Sequence, residues 1–171
     1  MEDTAVEDAG DQVTTEVLRA PLVIEYPFVR TTGPVIGAFL TGLRERTLVG
    51  ITGADGRVIV PPVEYDPVTA DDLTELVVVG PAGVVTACAW VAEPRPEHPL
   101  DKPFAWALIR PDGADTSMVH VVDAPGPDAV TVGTRVTPHW RDETAGEITD
   151  ISYFTVDSSD SSGASSNEES A

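Results

Sequence analysis

Only one cysteine, Cys88, and one lysine, Lys102, occur in the 171 residues. A single thiol excludes an internal disulfide and any four-cysteine metal site. Bases are scarce altogether, ten against 29 acids, for a formal net charge of −19. The first sixteen residues hold six acids and residues 157–171 hold four, neither with a base, which leaves the segment between at net −9. A body of that sign repels phosphate backbones, whose neutralisation supplies most nucleic-acid affinity, and it repels anionic membranes too. No apolar run is long enough to span a bilayer, and the N-terminus has no secretory signal pattern, so the expected location is cytoplasmic. There is no Gly-Lys-Ser/Thr phosphate loop, no Gly-x-Gly-x-x-Gly unit between a strand and a helix, and no Gly-x-Ser-x-Gly elbow.

What is present favours strands. Hydrophobic residues make up 42%, enough for a real core, and Val-rich apolar runs are broken by 15 prolines and 14 glycines. Residues 1–16 read as a disordered acidic leader and residues 157–171 as a disordered Ser-rich acidic tail. Between them the expected order is an extended arm and helix (17–46), a small hairpin module (47–80) and a barrel (81–156).

Residues 18–30, with Pro21 and Pro27, read either as an edge strand over the chain's own core or as an arm for another surface. The spacing predicts one helix over 33–46, with Thr32 or Gly33 as cap and Pro34 in its first turn. Val35, Ile36, Phe39, Leu40 and Leu43 fall on one face. That face either packs on the barrel or binds a partner. Arg44 and Arg46 stand where the helix dipole favours cations.

Ala54-Asp55-Gly56 between apolar runs 47–51 and 57–61 predicts a hairpin. Residues 69–72 read as a short helix start. Further strands are predicted at 76–80, 83–91, 103–110, 116–123, 130–140 and 148–156, with a Pro-rich loop at 92–102. This pattern predicts a mainly β protein ending in a five-stranded OB barrel.

His98, His120 and His139 lack ligand spacing, and the alternation around His120 places it toward solvent or the barrel mouth. Cys88, mid-strand, reads as a buried small hydrophobe rather than a nucleophile. Asp71, Asp72 and Glu75 read as solvated acids. Trp90, Trp106, Trp140, Tyr153 and Phe154 are either core or a stacking surface of the kind OB-folds offer to single strands.

Taken in order, Phe39-Leu40-Thr41-Gly42-Leu43, then Arg44-Glu45-Arg46 and Leu48, then Gly56, Pro61, Pro62 and Pro67 resemble a known family. So do Lys102-Pro103-Phe104, Val132-Gly133-Thr134-Arg135-Val136 and Ile151-Ser152-Tyr153-Phe154. This is the zinc-ribbon and OB-fold family of acyl-CoA-associated proteins, domain of unknown function thirty-five. The resemblance covers about residues 33–156. It implies a rubredoxin-like zinc ribbon whose four ligand positions are here Thr52, Asp55, Asp66 and Thr69. Two Thr and two Asp do not make a usual structural zinc site, so the expectation is a degenerate ribbon without metal.

The resemblance also implies a non-catalytic accessory subunit in a hetero-oligomer. Its partner would be a thiolase-like or lipid-transfer-type thiolase or aldolase of lipid or steroid side-chain metabolism, or a MaoC-like hydratase. No cofactor is expected, but acyl-CoA is a candidate ligand, with Lys102, Arg110, Arg135 and Arg141 facing its phosphates if they converge. If they do not, pairing with acids such as Asp112, Asp142 and Glu143 accounts for them. The alternatives are an OB-fold nucleic-acid-binding module and a free acyl-CoA-binding protein.

Overall fold

The computed structural model describes residues 20–27 and 31–157. The expectations for residues 1–16, and for the tail beyond Asp157, fall outside them. Residues 20–27 belong to a unit of their own. They form neither helix nor strand, so the edge-strand reading does not hold there. Leu22 is 86% exposed and Ile24 73%.

The second unit opens with helix α1 (Pro34–Arg44). Gly33 is its N-cap, at φ 79°, but no side chain caps the helix locally. Glu64 does so from a distance, its Oε1 accepting from the Val35 and Ile36 N–H at 3.2 and 3.3 Å. A carboxylate is well placed there, where free N–H groups and the dipole meet.

The helix packs on a three-stranded antiparallel sheet, order β2-β1-β3, made of β1 (Leu48–Thr52), β2 (Val58–Ile59) and β3 (Leu76–Val79). The Asp-Gly hairpin is present: Ile51 faces Ile59 and Thr52 faces Val58. Gly42 allows the helix to approach, since a Cβ there would lie 2.9 Å from both the Thr47 O and the Val49 Cγ2. Gly42→Ala is therefore expected to destabilise the protein by about 1–3 kcal/mol through overpacking, although alanine is the better helix former. A urea midpoint unchanged from wild type would refute this.

The barrel is closed in the order β4-β5-β6-β8-β7, with β4 (Gly83–Val91), β5 (Phe104–Pro111), β6 (Met118–Asp123), β7 (Arg135–Trp140) and β8 (Ile151–Val156). This is the OB arrangement. Its pairs are antiparallel except β6 with β8, which run parallel. The strand expected over 130–140 begins only at Arg135 because residues 131–134 form a turn, with Gly133 at φ 95° and Thr131 N–H bonded to Thr134 Oγ1. The helix expected from residue 69 is absent. Ala70 takes φ 62° and Tyr65 bridges Asp72 instead.

One core joins helix, sheet and barrel: Phe39 and Leu43, Leu48 and Val79, and Val85, Ile109, Val136 and Phe154 belong to it. Polar ties reinforce the joint. The Thr116 hydroxyl both accepts from Val60 N–H (2.7 Å) and donates to Val60 O (2.9 Å), and Asp115 Oδ2 accepts from Val58 N–H at 2.8 Å.

Candidate functional site

Parallel pairing of β6 with β8 is short, with Val122 facing Phe154 and Asp123 facing Thr155. Upstream of that register the two strands part and open a cleft of about 520 Å³. Val119, His120 and Val121 line it from β6, and Ile151, Ser152 and Tyr153 from β8. Trp106 of β5 and Pro99 and Leu100 of the Pro-rich loop form another wall. Ile148, Thr149 and the exposed Arg141 complete it. A mostly apolar cleft with a few polar groups is the usual form of a small-ligand site.

Each wall has a local cause. The Pro-rich loop is held by edge-on ring contacts, His98 to Phe104 and Phe104 to Trp106, each at 5.6 Å between centroids. The wall at Ile148–Thr149 is set by Asp150, whose carboxylate accepts from the N–H groups of Ala145 (2.9 Å), Gly146 (2.7 Å) and Glu147 (3.1 Å). Burial alone would raise the Asp150 carboxyl. The N–H donors of Ala145, Glu147 and Gly146, with Arg141 nearby, more than offset that and hold it below the usual carboxylate range.

The same loop is clamped to α1. Arg44 donates to Ala145 O (Nη2, 3.0 Å), Arg46 Nη2 donates to the Arg141 and Asp142 carbonyls (both 3.0 Å), and the Thr144 hydroxyl donates to Arg44 O at 2.7 Å. The helix-dipole reading of Arg44 and Arg46 missed this role, since their partners lie about a hundred residues away.

The solvent reading of His120 is corrected. It is 8% exposed, with its ring edge-on to Phe154 at 5.3 Å and, among the described residues, no hydrogen-bond partner for Nδ1. Its place opposite Ala107 turns it to the inner face of the barrel. Burial pushes the imidazole below its ordinary value, against smaller opposing effects of the Ile148 and Val121 backbone. A depressed folded value means that stability is complete above the unfolded value of about 6.5 and declines as pH falls through it.

Cys88 is also corrected: it is exposed, with Sγ donating to Val130 O at 3.2 Å. Strand β4 leaves β7 after Val84, with a register shift against β5 between Val85 and Ala87, and Ala87, Cys88 and Ala89 are exposed. Among the aromatics, Phe154 is core, Trp90 and Trp140 pack against it, and Trp106 and Tyr153 line the cleft. Asp71, Asp72 and Glu75 are exposed, as expected.

The four basic candidates do not converge. Lys102 pairs with Asp123 at 2.7 Å beside a separate hollow of about 440 Å³. Arg135 is held by Asp112, and Asp157 lies 3.9 Å from its Nε. Arg110 and Arg135 flank Val84 on one face, near the end of β5 opposite Lys102. Arg141 alone lines the cleft. Of the five apolar helix positions, Val35, Phe39 and Leu43 are buried and Leu40 packs on the core, so only Ile36, 38% exposed, faces outward.

Of the four ribbon positions, Thr52 ends β1 opposite Val58, and Asp55, Asp66 and Thr69 lie in loops. Asp55 pairs with Arg57 at 2.6 Å. The buried Asp66 accepts from the N–H groups of Thr69 (3.0 Å), Ala54 (2.9 Å) and Val68 (2.8 Å), which hold its carboxyl low. Among the described residues no group of three or more His, Cys, Asp or Glu is placed to hold a metal ion.

Residues 76–141 match the family model of the ChsH2, C-terminal OB-fold domain. That match and the closed five-stranded barrel identify an OB-fold domain similar to the one of ChsH2. Two solved structures agree with it in fold. One is a protein of unknown function from the DUF35 family of Sulfolobus solfataricus, at 19% identity and a TM-score of 0.54, covering 73% of this chain and 83% of that one. The other is the Ltp2-ChsH2(DUF35) aldolase, at 20% identity and a TM-score of 0.51, covering 74% and 97%. No curated protein matches the chain. No helix among the described residues is long and apolar enough to cross a membrane.

Proposed function

We propose that this protein is a non-catalytic subunit of an acyl-CoA-processing enzyme of the thiolase or aldolase type. The observation that carries the reading is the arm: Leu22, Val23, Ile24 and Tyr26 are all strongly exposed within one short stretch. Grouped exposed hydrophobes of this kind mark protein-binding surfaces. The ChsH2-like OB-fold domain supports the class of partner, since a similar solved structure is the Ltp2-ChsH2(DUF35) aldolase. Ile36, outward on α1, is the remaining helix residue available to a partner. The cleft supports contact with substrate: its apolar walls suit an acyl or pantetheine chain, and Arg141 suits an anionic group. Lys102, Arg110 and Arg135 would then serve, if at all, at separate points.

The test is recovery of the tagged full chain from its native cells, with mass spectrometry of what accompanies it. A thiolase- or aldolase-type enzyme in fixed stoichiometry is expected. The double variant Leu22→Asp, Ile24→Asp should lower that recovery about tenfold or more, as loss of central apolar anchors does. Its melting temperature should be unchanged, because these side chains are exposed. Undiminished recovery would remove the arm from the interface. A monomer that instead retains oligonucleotides in a salt-sensitive way would favour the nucleic-acid alternative.

A further inference from the structure

We propose that the Asp66 carboxylate ties together the two loops of the small module and does there what a metal ion does in a zinc ribbon, so that the module folds without metal. The first loop joins β1 to β2 and is closed on itself by Gly53 N–H to Arg57 O (2.8 Å) and Gly56 N–H to Gly53 O (2.9 Å). The second loop, residues 65–72, is closed by Asp66 N–H to Asp71 O (2.8 Å) and Ala70 N–H to Asp66 O (2.9 Å). Asp66 binds both. Its Oδ1 accepts from Val68 and Thr69 within its own loop, and its Oδ2 crosses to Ala54 of the other.

Asp66 is one of the four positions where the resemblance implies a zinc ligand. The donors present do not fit zinc. Thr52 and Thr69 offer neutral hydroxyls, Asp55 is engaged by Arg57, and the Asp66 oxygens are occupied by three N–H groups. A carboxylate that accepts several backbone N–H bonds makes charge-assisted hydrogen bonds, stronger than neutral ones. Asp66 is itself buried, at the edge of a hollow of about 320 Å³ that Ala54, Val68 and Thr69 also line.

The test uses the purified full chain at pH 7, with metal content by elemental analysis and melting by circular dichroism. Wild type should carry no stoichiometric zinc, and its melting temperature should not change with a chelator or with added zinc. Asp66→Asn puts an amide NH2 among N–H donors and should lower the melting temperature by about 5 °C or more, with no rescue by zinc. Amide hydrogen exchange provides the second readout. Ala54, Val68 and Thr69 should exchange at least tenfold faster in the variant, while Val122 of the barrel keeps its wild-type rate. Stoichiometric zinc in wild type, chelator sensitivity, or unchanged exchange at those three amides would each overturn the proposal.

Discussion

Asp150→Ala is expected to destabilise the protein by about 3 kcal/mol, because three backbone N–H groups lose the one acceptor that the fold provides for them. The side chain is 1% exposed, so water cannot readily replace it. The loss should spread along a definite path. Asp150 arranges residues 145–147, Ala145 O accepts from Arg44, and Gly146, at φ 88°, has no room for a Cβ because Leu40 O would lie 3.0 Å away. The 145–150 loop is thus wedged between α1 and the cleft, and its release should free both. In chemical denaturation the midpoint should fall with little change in slope, and Asp150→Asn should show an intermediate loss. The pH dependence has a fixed sign. With its folded value depressed, Asp150 contributes fully above the unfolded value of about 3.9, and the contribution is lost as pH falls through the folded value. The alanine variant should therefore differ most from wild type near neutrality and converge on it in acid. A variant within about 0.5 kcal/mol of wild type at pH 7 would show that the loop does not depend on this carboxylate.

The features legible in the sequence are those with local causes. Pro34 and the spacing of Val35, Phe39 and Leu43 specify a helix whatever lies around it, and the helix is found at Pro34–Arg44. Asp55-Gly56 specifies a tight turn, and Val58 and Ile59 return beside Ile51 and Thr52. The succession of barrel strands along the chain was marked by turn residues between them. What escaped the sequence depends on distant partners. Asp66 was read only as a former zinc-ligand position of a degenerate ribbon. Its bonds to Val68 and Thr69 are a local turn that Asp-Pro could have signalled, but the bond to Ala54 needs the folded module. Glu147 and Asp150 form a reciprocal cap whose spacing was visible, though not that Asp150 is buried. The alternation around His120 was sound as far as it went. It could not show that the inner face of β6 is covered by Phe154. The basic residues were grouped by their scarcity. The barrel separates them because β5 puts Lys102 near its start and Arg110 near its end.

Gly83→Ala tests the closure of the barrel itself, and a loss of about 3 kcal/mol or more is expected. Gly83 faces Pro111 on one side and Val136 on the other, where β4 meets both β5 and β7. A Cβ there would lie 2.5 Å from Arg110 O and 2.9 Å from Arg110 C. Those are backbone atoms, so no side-chain rotation relieves the clash and the strands must move apart. They have little to lose: β4 and β7 share Gly83 with Val136 and Val84 with Arg135, extended only by Val85 N–H to Thr134 O (2.9 Å) and Gly133 N–H to Val85 O (2.8 Å). The pairing of Arg135 with Asp112 lies beside the same seam, on an exposed face where an ion pair contributes little. Gly56→Ala is the contrasting control. Unlike Gly83 it sits at positive φ, 80°, but nothing lies within 4 Å of its Cβ, so only backbone strain of about 1 kcal/mol is expected. Urea denaturation of the two variants should therefore separate them clearly, with the Gly83 variant also losing protection of the Val85 amide. Equal losses would mean that the seam yields without cost and that the barrel is held closed by its core alone.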